Sequence, residues 1–172
     1  MTLVVLQPAG SSEGSAHFND TIERPVRLSL LAEFLTPAEV TALEDLYPDR
    51  EVPTWGVTPG EKGVNRKKWD RIRRGNRALF SKSGGVFASG VITMKTHNAS
   101  LARELWKTNK RGDTWEYMYF IDELKPMTIM YGDFNHIVGY EPNNVIQGFT
   151  VLNAERSERV LEALDLWSEI HS

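Results

Sequence analysis

"RALFSKSGGVFASGVITMK", residues 77–95, carries the pattern that decides the fold. From Gly85 onward, Val86, Ala88, Gly90, Ile92 and Met94 alternate with Phe87, Ser89, Val91, Thr93 and Lys95, the two-residue period of a strand with two distinct faces. Arg77–Ser81 is a shorter run of the same kind, and "KSGG" between them supplies a turn. Two strands joined this way predict an antiparallel hairpin.

Outward from the hairpin the short elements continue in both directions. On the C-terminal side, Asn98 is placed to cap a short helix through Leu105 and Trp106, and Gly112-Asp113 turns the chain into "TWEYMYFID". There Trp115, Tyr117, Tyr119 and Ile121 share one face, and Glu116, Met118, Phe120 and Asp122 the other. "MTIMY" reads as a further strand, and Asn153 as the cap of a closing helix from about Ala154 to Ile170, with Val160, Leu161, Leu164 and Trp167 on one apolar stripe. On the N-terminal side come a turn at Gly75-Asn76, a short basic helix near Arg66–Ile72, a Pro59-Gly60 turn and the strand "VPTWGV". Further back, Thr36, Pro37 and Glu39 form a helix start, with an N-cap hydroxyl, proline at the first helical position and a capping-box glutamate. Residues 7–21, rich in Gly, Ser, Ala and Asn, read as a mobile arm or loop. The expected organisation is a flexible arm over 1–24, a helical segment over 25–50 and the main domain over 51–172. The fold class is α+β, a small curved, mostly antiparallel β-sheet or barrel with helices packed on its outside.

With 172 residues and 41% hydrophobic content, the chain has material for one core. The absence of cysteine excludes disulfides, thiolate nucleophiles and cysteine-type zinc sites. The four histidines, His17, His97, His136 and His171, are scattered without ligand spacing, and no cofactor is implied. No stretch approaches the ~20 apolar residues of a membrane span, and the N-terminus lacks the basic and long apolar regions of a signal peptide. A cytoplasmic protein without membrane contact is the expectation.

Charge is distributed unevenly. The net charge is −3, yet the window from Lys62 to Lys82 holds nine cations and one acid, leaving about −11 for the remainder. Arg66, Lys67, Lys68, Arg71, Arg73 and Arg74 surround the short helix, and Lys82 closes the window. Cations gathered on ordered elements suit phosphate contacts, and the planar fork of arginine suits them best. Trp69 lies inside this cluster, where an indole can act as a stacking platform for a base. Trp106, just before "KTNKRGD", is a candidate second wall, whereas Trp115 and Trp167 read as core. Thr58, Asn65, Ser81, Asn135 and Gln147 fall in loops or at strand ends, where polar side chains can reach a base edge.

The order of these features in "TWGVTPGEKGVNRKKWDRI", "GNRALFSKSGGVFASGVI", "LWKTNKRGDTWEYMYFID" and "FNHIVGYEPNNVIQGF" resembles the PUA-like modified-base readers, in particular the EVE and YTH-type specificity domains of modification-dependent restriction systems. The resemblance covers roughly Val52 to Phe149. It implies a methylated or hydroxymethylated base, cytosine slightly ahead of adenine, flipped from DNA into an aromatic cage with flanking phosphates on a basic rim. RNA remains an alternative substrate. Carried onto this chain, it implies Trp69 and Trp106 as cage walls, Ser81 and Asn65 as polar contacts, and Trp55, Phe134 or Tyr140 as the third wall. Such a domain is a binding module and not an enzyme, with cleavage supplied by a fused or separate nuclease.

Two other readings come from the residues. Asp113, Glu123 and Lys125 imitate the carboxylates and lysine of a metal-dependent nuclease, although Asp113 sits in a Gly-Asp turn and Glu123 and Lys125 at the polar end of a strand. The acidic N-terminal helices could instead dock a protein partner.

Overall fold

A computed structural model describes residues 1–166 of the chain. Eight strands are present among them: β1 (Val4–Pro8), β2 (Val26–Arg27), β3 (Glu51–Val52), β4 (Thr54–Val57), β5 (Arg77–Lys82), β6 (Gly85–His97), β7 (Tyr117–Met130) and β8 (Thr150–Val151). The α-helices are α1 (Ser12–Phe18), α2 (Leu28–Leu31), α3 (Pro37–Leu46), α4 (Val64–Asp70), α5 (Ala99–Trp106), α6 (Tyr131–Val138) and α7 (Ala154–Ala163). Six strands form one sheet in the order β4-β7-β6-β5-β1-β8, and β2 pairs with β3 apart from it. The α+β class and the curved sheet are as expected, with α2, α3, α5, α6 and α7 on the outside and α1 and α4 against the concave side.

Curvature follows from contacts between strands that are not neighbours. Three sheet steps separate β4 from β5, about 14 Å in a flat sheet, yet the Trp55 and Phe80 rings meet edge to face with centroids 5.3 Å apart. Tyr119 on β7 likewise donates its hydroxyl to Gln7 Oε1 on β1 at 3.0 Å. The interior of this curl holds Val5, Phe18, Trp55, Ile72, Phe80, Tyr119 and Ile121. On the outer side, Leu28, Leu31, Leu43 and Tyr47 cover Met118 and Phe120 of β7, while α6 and α7 cover Val4, Leu6 and Leu79.

Local signals explain most elements. Thr36 and Glu39 close the expected capping box on α3, and Asn98 and Asn153 cap α5 and α7. The β5–β6 hairpin turns at Gly84, whose φ of 91° suits glycine. On β7 the expected faces hold, with Tyr117, Tyr119 and Ile121 inside and Met118 and Phe120 outside.

Several expectations need correction. The first 24 residues are not a mobile arm: β1 lies between β5 and β8, parallel to the first, and α1 packs Phe18 into the core. Residues 25–50 are no separate segment either, because Tyr47 hydrogen-bonds Thr93 and the Ile121 carbonyl at 2.7 and 2.8 Å. The even alternation read on β6 is broken by register shifts at 86/88, 89/91 and 92/94. Val86 and Met94 consequently face outward, while Ala88 and Ile92 face the interior. "MTIMY" belongs to β7 and to the start of α6. The closing helix ends at Ala163, and Trp167 lies outside the described residues. No helix among the described residues is long and apolar enough to cross a membrane.

Candidate functional site

A cavity of about 760 Å³ opens on the concave side of the sheet. Its first wall is Trp55 with Gly56, Val57 and Thr58, where β4 runs out into the following loop. Gly56 is required by close approach, since a Cβ there would collide with the Trp115 carbonyl and the Trp106 ring. Opposite stand Gln7 at the end of β1 and Ser81 near the end of β5, parallel neighbours that deliver their last residues to the same place.

Helix α1 supplies a third wall. The Ser11 hydroxyl caps it by accepting from Gly14 N at 2.9 Å, and the chain continues into a π-helical turn over Asn19–Glu23. There the Thr21 hydroxyl donates to the Thr54 carbonyl at 2.6 Å, fastening the helix to β4. This holds His17 over the cavity among three indoles, at centroid distances of 4.4 Å to Trp115, 5.4 Å to Trp106 and 6.5 Å to Trp55. Loss of hydration on burial lowers the His17 imidazole to about 4 and outweighs the opposing pull of Asp20, so the ring is neutral at neutral pH.

Two of the lining residues each hold a buried polar atom without a partner. Trp55 is 3% exposed and Ser81 1%, and neither the indole Nε1 nor the hydroxyl Oγ makes a hydrogen bond. A buried polar atom left unpaired costs about 1–3 kcal/mol, so these two have a physical claim on any polar edge that enters. The neighbouring Gln7 amide is fixed by Tyr119.

The basic segment is adjacent. Asn65 of α4 reaches the cavity, and Arg66 and Lys67 are exposed beside it. Other cations of the segment tie backbone together: Lys68 donates to the Phe149 carbonyl at 2.8 Å, Arg71 to that of Val151 at 3.3 Å, and Arg73 to those of Asp70 and Ile72. Arg74 and Lys82 are exposed, and Lys82 lies at the cavity and over the Phe87 ring.

Of the residues singled out by sequence, the cavity brings together Trp55, Thr58, Asn65, Ser81, Lys82 and Gln147. Trp69 and Trp106 do not line it. The Trp69 indole donates to the Met118 carbonyl at 3.1 Å, packs on Tyr117 and carries Lys95 Nζ 4.3 Å above its face. Trp106 is buried behind Gly56 with the outer cluster. Phe134 is fully buried beneath α7, and Tyr140 lies under the Arg156 guanidinium. Asn135 is internal as well, donating to the Pro142 and Asn144 carbonyls.

Sequence reasoning missed Gln7 and His17 and assigned Trp115 to the core. Serine before a glutamate-containing stretch was the one available signal for α1 and hence for His17. Asp113 sits in a turn organised by Asn109, and Glu123 and Lys125 are exposed on β7. Among the described residues no three potential metal ligands cluster.

No protein-family model and no curated protein matches this sequence. The structure is similar to that of the N-terminal domain of Thermococcus gammatolerans McrB bound to m5C DNA. The TM-score is 0.66 at 16% identity, covering 95% of this chain and 98% of that one. This likeness shows the fold, an α+β domain with a curled six-stranded sheet.

Proposed function

We propose that this chain is a reader of modified bases in DNA, taking a base rotated out of its helix into the cavity walled by Trp55, Trp115 and His17. The carrying observation is the pair of unpartnered buried atoms, Trp55 Nε1 and Ser81 Oγ, on two residues that line a cavity within the ~300–1,000 Å³ range of small-ligand sites. A donor and a hydroxyl on an aromatic wall suit a nucleobase, which offers a flat face together with an edge of acceptors and donors. Extrusion costs a few kcal/mol of stacking and pairing, returned here by aromatic contact and by pairing of the two idle atoms. Thr58 and Asn65 extend the polar lining. Arg66, Lys67, Arg74 and Lys82 supply the phosphate rim, and Arg71 and Arg73 add to its field while holding backbone.

Because the similar McrB domain is bound to m5C DNA, 5-methylcytosine is the first base to test. The neutral state of His17 agrees with an uncharged guest. On this reading the chain is the specificity part of a modification-dependent restriction system and performs no cleavage itself, which falls to a fused or separate nuclease.

The test is affinity for oligonucleotides identical except for one cytosine, 5-methylcytosine, 5-hydroxymethylcytosine or N6-methyladenine, at two salt concentrations. Tighter binding to one modified form is expected, and equal affinity for all would overturn the proposal. Arg66→Gln with Lys67→Gln should weaken modified and plain DNA alike and lower the salt slope by about 1 for each phosphate no longer neutralised.

A further inference from the structure

We propose that the loop from Asn144 to Gly148 is a wedge for double-stranded DNA. Val145 enters the base stack where the extruded base was, and Gln147 hydrogen-bonds the base left opposite. This rests on the base-reading function proposed above and concerns a step that the cavity cannot perform.

The loop is irregular yet pinned on both sides. Asn135, fully buried, donates from Nδ2 to the Pro142 and Asn144 carbonyls at 3.1 and 2.7 Å. Ile146 is 8% exposed in the cluster beneath α6 and α7, and Phe149 is buried with its carbonyl held by Lys68 at 2.8 Å. Between these anchors the intervening residues are turned outward. Val145 is 51% exposed, Gln147 is exposed, and nothing lies within 4 Å of the place a Cβ on Gly148 would occupy. Val145 and Gln147 both border the cavity.

A lone exposed valine needs no explanation. A valine on a clamped, outward-turned loop bordering a cavity roomy enough for a base has a geometric one. Removing a base from a stack leaves an apolar gap and an unpaired partner, and proteins that open DNA insert apolar side chains between base steps for this reason. A neutral amide beside the valine can donate to and accept from whatever base stands opposite. The side chains facing the same mouth from α4 and the hairpin, Asn65 and Lys82, are polar and suited to backbone. Double-stranded nucleic acid fits these features better than a protein partner, for which the exposed apolar area is too small.

The experiment compares one modified-base sequence as duplex and as single strand, read by fluorescence anisotropy with the parent, Val145→Ser, Gln147→Ala and Val145→Leu. Val145→Ser should lose roughly tenfold more affinity on the duplex than on the single strand, Gln147→Ala should show a smaller loss in the same direction, and Val145→Leu should keep the parent's duplex affinity. A 2-aminopurine beside the modified base should brighten less with Val145→Ser than with the parent. Equal losses on both forms, or none, would overturn the wedge while leaving base reading intact. Failure of the parent to distinguish modified from plain DNA in either form would overturn both.

Discussion

Trp55 and Trp69 are both buried in the same core cluster, and they differ in one atom's fate. The Trp69 Nε1 donates to the Met118 carbonyl, its ring lies against Tyr117, and Lys95 sits above it with hydrogen bonds to the Trp69 and Asp70 carbonyls. The Trp55 Nε1 has no partner, and Trp55 is one of the residues that border the cavity. A satisfied indole has finished its work inside the fold, whereas an unsatisfied one at a cavity wall has bonding capacity left for a guest. Trp106 also has an idle Nε1 but lies behind Gly56, so the guide to the site is an idle donor on a residue that lines the cavity, and not a tryptophan near cations.

The sharpest way to break this comparison is at Trp69. Trp69→Ala removes a large buried ring, an internal hydrogen bond and the seat of Lys95, and should cost about 3–5 kcal/mol of stability in chemical denaturation. Under conditions where the variant remains folded, modified and plain DNA should be affected equally. A stable Trp69→Ala protein that has lost only its preference for the modified base would place the reading indole on α4 and dissolve the contrast.

The smaller change at Trp55 sharpens it. Trp55→Phe keeps the edge-to-face neighbours Phe18 and Phe80 but deletes the unpaired donor. Stability should fall by less than about 1.5 kcal/mol, as for conservative core exchanges, because no hydrogen bond is lost in the free protein. Affinity for the preferred modified base should fall by about 0.5–1.5 kcal/mol in titrations, the net worth of one hydrogen bond, with plain DNA little changed. A stability loss as large as that at Trp69, with discrimination preserved, would make both indoles structural.

The same pair shows why fold and site differed in legibility. Alternation on β7, the β5–β6 turn and the caps at Thr36, Asn98 and Asn153 are local signals, and they specified their elements. Strand β1 was hidden because its residues alternate between two buried faces, Val4 and Leu6 outward and Val5 inward, which leaves an unbroken apolar run with no polar face. On β6 three register shifts move side chains between faces, and nothing in the residue order announces a bulge. At the site, Trp69 among charges looked exposed, but Trp69 near the end of α4 and Ile72 just beyond it both turn into the interior of the curl while Arg66, Lys67 and Asp70 face solvent. The true cavity joins residues from Gln7 to Phe149, and such long-range assembly leaves no spacing to read.

The smallest expected effect concerns charge, on which the two regions also differ. Lys95 stands over Trp69 with two carbonyls accepting from its ammonium, and although burial and the nearby Arg73 lower its pKa, the site is built for a cation. His17 has the opposite setting, packed among Trp55, Trp106 and Trp115, with burial lowering its pKa to about 4 against an ordinary 6.5. A histidine with a depressed folded pKa binds its proton more readily when unfolded. Its contribution to stability is therefore complete above pH 6.5, declines as the pH falls toward 4 and changes no further below that. Denaturation midpoints measured from about pH 7.5 to 4 should decline more steeply for the parent than for His17→Gln, which keeps a neutral polar side chain and has nothing to titrate. Affinity of the folded parent for the modified base should hold through that interval and decline only as the pH nears 4, where the folded protein's own imidazole takes its proton and adds a cation to a cavity suited to a neutral guest. Parallel profiles for parent and variant would show that His17 is already hydrated in the free protein, and the electrostatic half of the comparison between the two regions would then be lost.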